Sequence, residues 1–262
     1  MLREASLWDA SRNTPHVPVT QNIFLSLIIP AHNEERRLPP TLAAVNAYLE
    51  KRSYASEVLV IENGSQDLTA VVTEAFAADH PRVRLFRESG RGKGLAVRRG
   101  MLEAKGKYRF ICDADLSMPI EEVAKFLPPQ LDSYDVAIGS REAPGARRYN
   151  EPIYRHVQGR VFSQLVKLFA LPGFEDTQCG FKMFRGPIAE DVFRAQVFNG
   201  MSFDVEALYI ARNRGYKIVE VPIDWYYRSE SRVQPILDPL RMLRDILVIR
   251  SNWQKGRYVK KK

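Results

Sequence analysis

Four short apolar runs, separated by stretches of helical periodicity, constrain this chain more than any other feature. They are Phe24-Leu25-Ser26-Leu27-Ile28-Ile29, Glu57-Val58-Leu59-Val60-Ile61, Val83-Arg84-Leu85-Phe86 and Tyr108-Arg109-Phe110-Ile111-Cys112. Between them, a stretch through Leu42, Val45 and Leu49, then Leu68 to Ala78, then Lys93 to Ala104 read as helices. Strands alternating with helices of about 10–15 residues build βαβ units and a mostly parallel sheet. Asp135-Val136-Ala137-Ile138-Gly139 reads as a further strand. The expected class is therefore α/β, a single domain whose mostly parallel sheet is flanked by helices.

The second half is less regular. Tyr154 to Leu171 reads as an amphipathic helix stopped by Pro172-Gly173, Cys179 to Phe184 as a strand, Ser202 to Arg212 as a helix and Ile218 to Trp225 as a strand. Asp238-Pro239 is a helix start, with a capping carboxylate and proline in the first turn. The expected apolar face of that helix is Leu240, Leu243, Ile246 and Leu247. The chain divides into a tail (1–22), the sheet domain (23–236) and a basic amphipathic C-terminal helix and tail (237–262). No internal repeat is present.

A chain of 262 residues can bury one large core. No apolar stretch approaches the roughly 20 residues a membrane-spanning helix needs. Met1 to Asn22 is polar, contains Pro15 and Pro18, and lacks the apolar segment of a signal peptide. Cys112 and Cys179 give neither a disulfide framework nor zinc-ligand spacing, which suits a reducing cytoplasm. The net charge is +8, and Arg228 to Lys262 holds ten Lys or Arg against three acids. Nearly all the basic character therefore sits in the C-terminal segment, as a solvated tail or a patch for an anionic membrane surface. No nucleic-acid motif accompanies it.

A parallel sheet delivers the carboxyl ends of its strands to one edge, where open α/β folds bind ligands. Here those ends carry Pro30-Ala31-His32-Asn33-Glu34-Glu35, Glu62-Asn63-Gly64-Ser65-Gln66-Asp67, Gly90-Arg91-Gly92-Lys93-Gly94 and Asp113-Ala114-Asp115. Two carboxylates at a strand end can hold a hard divalent cation, and the cation a diphosphate. Glycines with Lys93 and Arg91 suit a phosphate. Each piece alone has a plainer reading. Asn33 suits a helix cap, Gly64 a turn, Ser65 or Asp67 a second cap, and an Asp-x-Asp a solvated loop. The chain has neither GxxxxGK(S/T) nor GxGxxG after its first strand, which argues against NTPases and NAD enzymes. His32 and His156 lack triad-like partners and read as surface or packing residues.

Taken together, Ile29-Pro30-Ala31-His32-Asn33-Glu34-Glu35, Glu62-Asn63-Gly64-Ser65-Gln66-Asp67-Leu68-Thr69 and Asp113-Ala114-Asp115 resemble the motifs of inverting family 2 glycosyltransferases of the GT-A fold. Within that family, Gly90-Arg91-Gly92-Lys93-Gly94, Gly139-Ser140-Arg141, Asp176-Thr177-Gln178-Cys179-Gly180-Phe181-Lys182 and Phe203-Asp204-Val205-Glu206 are most similar to those of dolichyl-phosphate β-glucosyltransferases. Related mannose synthases usually read Asp-Pro-Thr-Ser-Gly-Phe-Arg where this chain has its Asp176 segment. The resemblance implies a nucleotide-diphospho-sugar transferase. Pro30, Ala31, Asn33, Glu34, Asn63, Gly64 and Ala114 would border the nucleotide, and Glu62 would face the base. Lys93 would approach base or phosphates, Asp113 ribose or metal, and Asp115 would ligate Mg2+ or Mn2+. Arg141 would sit near the transferred sugar or the acceptor phosphate; apart from the resemblance, Arg155 reads as a second arginine to position an acceptor phosphate or as a plain surface charge. Asp176, Gln178, Asp204 and Glu206 would shape the sugar and acceptor side, with Asp115, Arg141, Asp176 and Asp204 as the catalytic set.

Two departures qualify the match. Ser117 stands where mannose synthases often place a third metal-side glutamine, which bears on metal geometry. The eukaryotic glucosyltransferases carry an N-terminal membrane helix not seen here, so a peripheral enzyme on the cytoplasmic face of the membrane is expected. The expected reaction is transfer of glucose from UDP-glucose to a polyprenyl phosphate, whose oxygen is already anionic and needs no strong base. GDP-mannose as donor, or a sugar hydroxyl as acceptor, is the alternative. A hydroxyl needs a carboxylate base, for which Asp176 or Asp204 is first in line. A pyrophosphorylase would need a glycine-rich, arginine-bearing loop where Pro30-Ala31-His32-Asn33 stands, and a non-catalytic sugar-nucleotide binder would not need both Asp113 and Asp115.

Overall fold

A computed structural model describes residues 22–228 and 237–259, without the side chains of residues 155, 157, 158, 161, 162, 165 and 237–240. β1 (Leu25–Ala31), β2 (Ser56–Asn63), β3 (Val83–Glu88) and β4 (Tyr108–Ile111) alternate with α1 (Leu38–Glu50), α2 (Thr69–Asp79) and α3 (Lys93–Glu103). A short 3-10 helix (Ile120–Phe126) leads to β5 (Val136–Ser140), β6 (Arg147–Tyr149) and α4 (Ile153–Phe169). β7 (Lys182–Arg185), α5 (Gly186–Ala195), α6 (Phe203–Asn213), β8 (Ile218–Pro222), β9 (Asp224–Tyr226) and α7 (Leu237–Gln254) complete the order.

Seven strands form one sheet in the order β3-β2-β1-β4-β7-β5-β8. All its pairings are parallel except those of β7, which runs antiparallel to both β4 and β5. Both faces are covered, so alternate residues of the central strands enter different cores. Leu27, Ile29, Val58 and Val60 join α1 and the 3-10 helix on one side. Ile28, Leu59 and Ile61 join α3, α5, α6 and α7 on the other. β6 and β9 form a separate parallel pair above the sheet edge. Stacking of Tyr149 on Tyr226, with centroids 4.5 Å apart, joins them.

The single-domain α/β reading holds, and the structure corrects several local ones. The strand expected from Cys179 begins at Lys182, because the Cys179–Phe181 backbone instead forms a loop against Gly139 and Asp113. The strand expected over Ile218–Trp225 is two, since after Ile223 the chain leaves the main sheet to pair with β6. The last helix opens at Leu237, which puts Asp238 inside its first turn rather than at the cap. Its packed face is also different. Met242, Ile246 and Ile249 are buried against α4 and α6, whereas Leu247 is 54% exposed. The Leu240 side chain lies outside the described residues, and of the rest of the expected stripe only Ile246 enters the core.

Candidate active site

The first two loops at the carboxyl edge are stitched together. The register sets Ala31 beside Glu62, so β1 and β2 end level. His32 Nδ1 donates to the Asn63 carbonyl at 3.0 Å. Asn33, at φ +54°, donates from its backbone to Ser65 Oγ at 3.0 Å and accepts from Gln66 N at 2.8 Å. Glu34 N donates to Thr69 Oγ1 at 2.7 Å, and its carboxylate holds Arg37. Glu35 N donates to Asp67 Oδ2 at 3.1 Å. Asp67 is thus bound by Glu35 and by Thr69, and these bonds hold its carboxyl below the usual range against the upward push of burial. Glu62 is buried and accepts from Ser65 N, around a turn that Gly64 makes at φ +73°. Pro30, Ala31, Asn33, Glu34, Glu62, Asn63 and Gly64 therefore gather at one place.

The third and fourth loops meet beside them. Asn63 Nδ2 donates to the Gly92 carbonyl at 3.0 Å, joining β2 to the glycine turn. Lys93, the first residue of α3, reaches Asp113 Oδ1 at 2.6 Å. Burial works against the lysine charge, but Asp113, Asp204 and Asp115 outweigh it and raise its pKa, so it stays protonated. Ala114 is fixed by Thr41 Oγ1, which donates to its carbonyl at 2.7 Å. Asp115 accepts from Ser117 N at 3.0 Å around Leu116, held at φ +45°. Ser117 in turn accepts from Tyr226 N at 2.7 Å, so the acidic loop is anchored to β9. Gly180 backs Asp113 closely, for a Cβ there would lie 2.1 Å from Asp113 Oδ2.

Asp113 and Asp115 fit a hard cation as two half-buried carboxylates whose remaining ligands would be diphosphate oxygens and water. Among the described residues no group of three or more His, Cys, Asp or Glu is placed for a metal. A bound nucleotide would thus have to complete the shell.

The side expected to face the acceptor is built from ion pairs. Arg141, just past β5, grips Asp176 with Nε to Oδ2 at 2.7 Å and Nη2 to Oδ1 at 2.9 Å, while its backbone N also donates to Oδ2 at 3.0 Å. Burial pushes the Asp176 carboxyl up, but Arg141 overrides it and holds it down at about 2. Glu220 of β8 accepts from the backbone N of Glu175 and Asp176, both at 2.9 Å. Lys182 is buried, with Nζ on Asp204 Oδ1 at 2.6 Å and on the Cys179 carbonyl. Burial raises the Asp204 pKa against the opposing pull of Lys182 and Lys93. Gln178 approaches Met242 Sδ at 3.9 Å, toward α7. Arg148 donates to the Arg141 carbonyl and pairs with Glu142 and Glu151. It also lines an open cavity of about 370 Å³ with Asn150, Glu151, Ile153 and His156. The Arg155 side chain lies outside the described residues.

Sequence reading gave no role to Gly180, Lys182 or Glu220, which hold Asp113, Asp204 and the Asp176 loop. The only signal for the first two was their place in the Asp176–Lys182 motif. Both thiols are buried, and burial raises them, Cys179 to about 12, so neither is a nucleophile.

Comparison with known proteins agrees with this geometry. The family described as Glycosyl transferase family 2 matches residues 26–193. A dolichyl-phosphate β-glucosyltransferase of Drosophila melanogaster is 36% identical over 254 residues, covering 90% of this chain and 77% of the relative. One from Saccharomyces cerevisiae is 32% identical, covering 95% and 82%. A glucosyl-3-phosphoglycerate synthase from Mycobacterium tuberculosis, crystallised with Mn2+, UDP-glucose and phosphoglyceric acid, superposes with a TM-score of 0.61 at 16% identity, covering 92% of this chain and 81% of that one. The strand-end loops, the sheet order and these likenesses lead to one assignment: the chain belongs to the family 2 glycosyltransferases, alongside the dolichyl-phosphate β-glucosyltransferases, and is a glycosyltransferase of the GT-A fold.

Proposed function

We propose that this enzyme transfers glucose, with inversion, from UDP-glucose to a polyprenyl phosphate of the dolichyl or undecaprenyl type. One observation carries the acceptor half of this reading. Asp176 and Asp204, the two carboxylates in line to act as a base, are both buried and each is held by a cation. A carboxyl held at about 2 and bonded to Arg141 is a poor proton acceptor, and Asp204, although burial raises its pKa, has Oδ1 taken by Lys182 and a side chain only 5% exposed. A sugar hydroxyl needs such a base, whereas a phosphate monoester is already an anion. The names of the relatives support the same acceptor and sugar.

Donor and acceptor then divide the site. Asn33, Glu62 and Asn63 border the nucleoside, and Lys93 meets the diphosphate as it gathers charge on leaving. Asp113 and Asp115 would hold Mg2+ or Mn2+, which when bound supplies Lewis-acid stabilisation of that leaving group. Arg141, whose Nη1 takes no part in the Asp176 pair, orients the acceptor phosphate, with Arg155 as its expected helper.

A lipid acceptor requires a membrane surface, and the exposed apolar residues suggest where the protein meets it. Ile153, Tyr154 and Leu168 of α4 and Leu247 and Val248 of the adjoining α7 are exposed, together with Arg244, Arg250, Lys255 and Arg257. No helix among the described residues is long and apolar enough to cross a membrane. This basic and apolar surface supports the proposal of peripheral binding at the cytoplasmic face of a membrane. The deciding experiment mixes UDP-glucose, Mg2+ or Mn2+ and polyprenyl phosphate with the enzyme. A glucosylated lipid phosphate is expected, and glucosylation of sugar hydroxyls alone would overturn the proposal.

A further inference from the structure

The turn that carries Lys93 does not hold itself in place. Gly92, at φ +128°, lies so close to the chain at Asn199 that a Cβ would come within 2.1 Å of the Asn199 carbonyl oxygen. At Gly94 a Cβ would come within 2.6 Å of the Phe198 carbonyl oxygen. Leu95 N donates to Asn199 O at 3.1 Å, and Gln196 Nε2 donates to Gly94 O at 2.9 Å and Phe198 O at 2.7 Å. The segment 196–199 is therefore a bed on which the turn rests with no slack.

The bed is held by one carboxylate. Glu206, fully buried in α6, accepts from Val197 N at 3.0 Å and from Phe198 N at 2.9 Å. The same Oε1 that receives Val197 also receives the Tyr258 hydroxyl at 2.7 Å. Tyr258 lies just beyond α7, is 1% exposed, and accepts from Asn252 Nδ2 at 3.2 Å. A continuous chain of hydrogen bonds thus runs from the C-terminal segment to the turn that presents Lys93.

We propose that Tyr258 and Glu206 are positioning residues for the diphosphate-binding turn, acting on the donor through the backbone at 197–199 and so through Lys93. The inference rests on the reading above that Lys93 meets the donor diphosphate. It needs no contact between Tyr258 and any substrate, since small misplacements of a binding group are costly.

The test uses the full-length protein, with UDP and Mg2+ titrated by calorimetry, and Tyr258→Phe, Lys93→Ala and the double variant beside wild type. Phenylalanine keeps the ring and removes only the hydroxyl. The expected result is several-fold weaker UDP binding for Tyr258→Phe, and no further weakening when it is added to Lys93→Ala. Equal weakening in both backgrounds, or a lower melting temperature with unchanged UDP affinity, overturns the proposal. A second readout needs no ligand. Amide exchange at Leu95, Val197 and Phe198 should quicken in Tyr258→Phe, and unchanged protection there also overturns it. If wild type binds no UDP, the donor reading fails, and the exchange measurement still decides the positioning claim.

Discussion

Arg141 and Asp176 meet side by side, Nε to Oδ2 at 2.7 Å and Nη2 to Oδ1 at 2.9 Å, with the aspartate side chain only 4% exposed. With Lys93–Asp113 and Lys182–Asp204, this makes three acid–base pairs at the ligand edge of the sheet. Removing one member of such a pair leaves the other buried and uncompensated, at a cost of roughly 3–5 kcal/mol for a fully buried pair. Of the three, the Arg141–Asp176 pair is the one that makes acid loosen the enzyme, because Asp176 is the carboxyl held down.

Asp176 has a folded pKa of about 2 against 3.8 ordinarily. A depressed carboxyl contributes its stability in full above the unfolded value and loses it as pH falls through the folded one. The thermal midpoint of wild type should therefore drop between pH 3.8 and about 2. Asp176→Asn should start lower at neutral pH and vary less across that window. Parallel curves for the two proteins would show that Asp176 is not the group responsible.

Asp115→Ala should cut turnover by on the order of 10²-fold or more, by analogy with the loss of a transition-state charge stabiliser. Its carboxylate is half-buried and accepts from Ser117 N, so the fold should lose only about 1 kcal/mol. Steady-state rates beside urea unfolding check both halves. Near-normal turnover in a folded variant would contradict the metal reading.

Calorimetry with Mg2+ or Mn2+ should show UDP-glucose binding more tightly than GDP-mannose. The Asp176–Lys182 segment matches the glucosyl rather than the mannosyl branch of the family, and this preference is what the comparison tests. The reverse order of affinities would move the enzyme to the other donor.

The protein should float with phosphatidylglycerol vesicles at low salt and less so as salt screens the basic surface. Leu168→Asp and Leu247→Asp should weaken flotation without shifting the melting temperature, because both side chains are already exposed. Deleting residues 255–262 removes Tyr258 from the core and should, by contrast, lower the melting temperature. Failure of wild type to bind anionic vesicles at low salt would favour a soluble acceptor.

The sequence alone determined the parallel half of the fold, because strand and helix periods are local. Leu27, Ile29, Val58 and Val60 alternate as they must in a sheet buried on both faces. Once that half is parallel, the ends at Asn33, Glu62, Lys93 and Asp113 have to share an edge. The tertiary structure decided what local patterns do not encode. Arg141 finds Asp176 across 35 residues, Lys182 finds Asp204 across 22, and Tyr258 finds Glu206 across 52. Such pairings depend on how distant segments cross, as where β7 enters antiparallel between β4 and β5. In α7, Met242, Leu243, Ile246, Leu247, Val248 and Ile249 leave almost every side apolar, so periodicity does not select a face. Packing against α4 and α6 selects the face, and among the described side chains of α7 it buries Met242, Ile246 and Ile249.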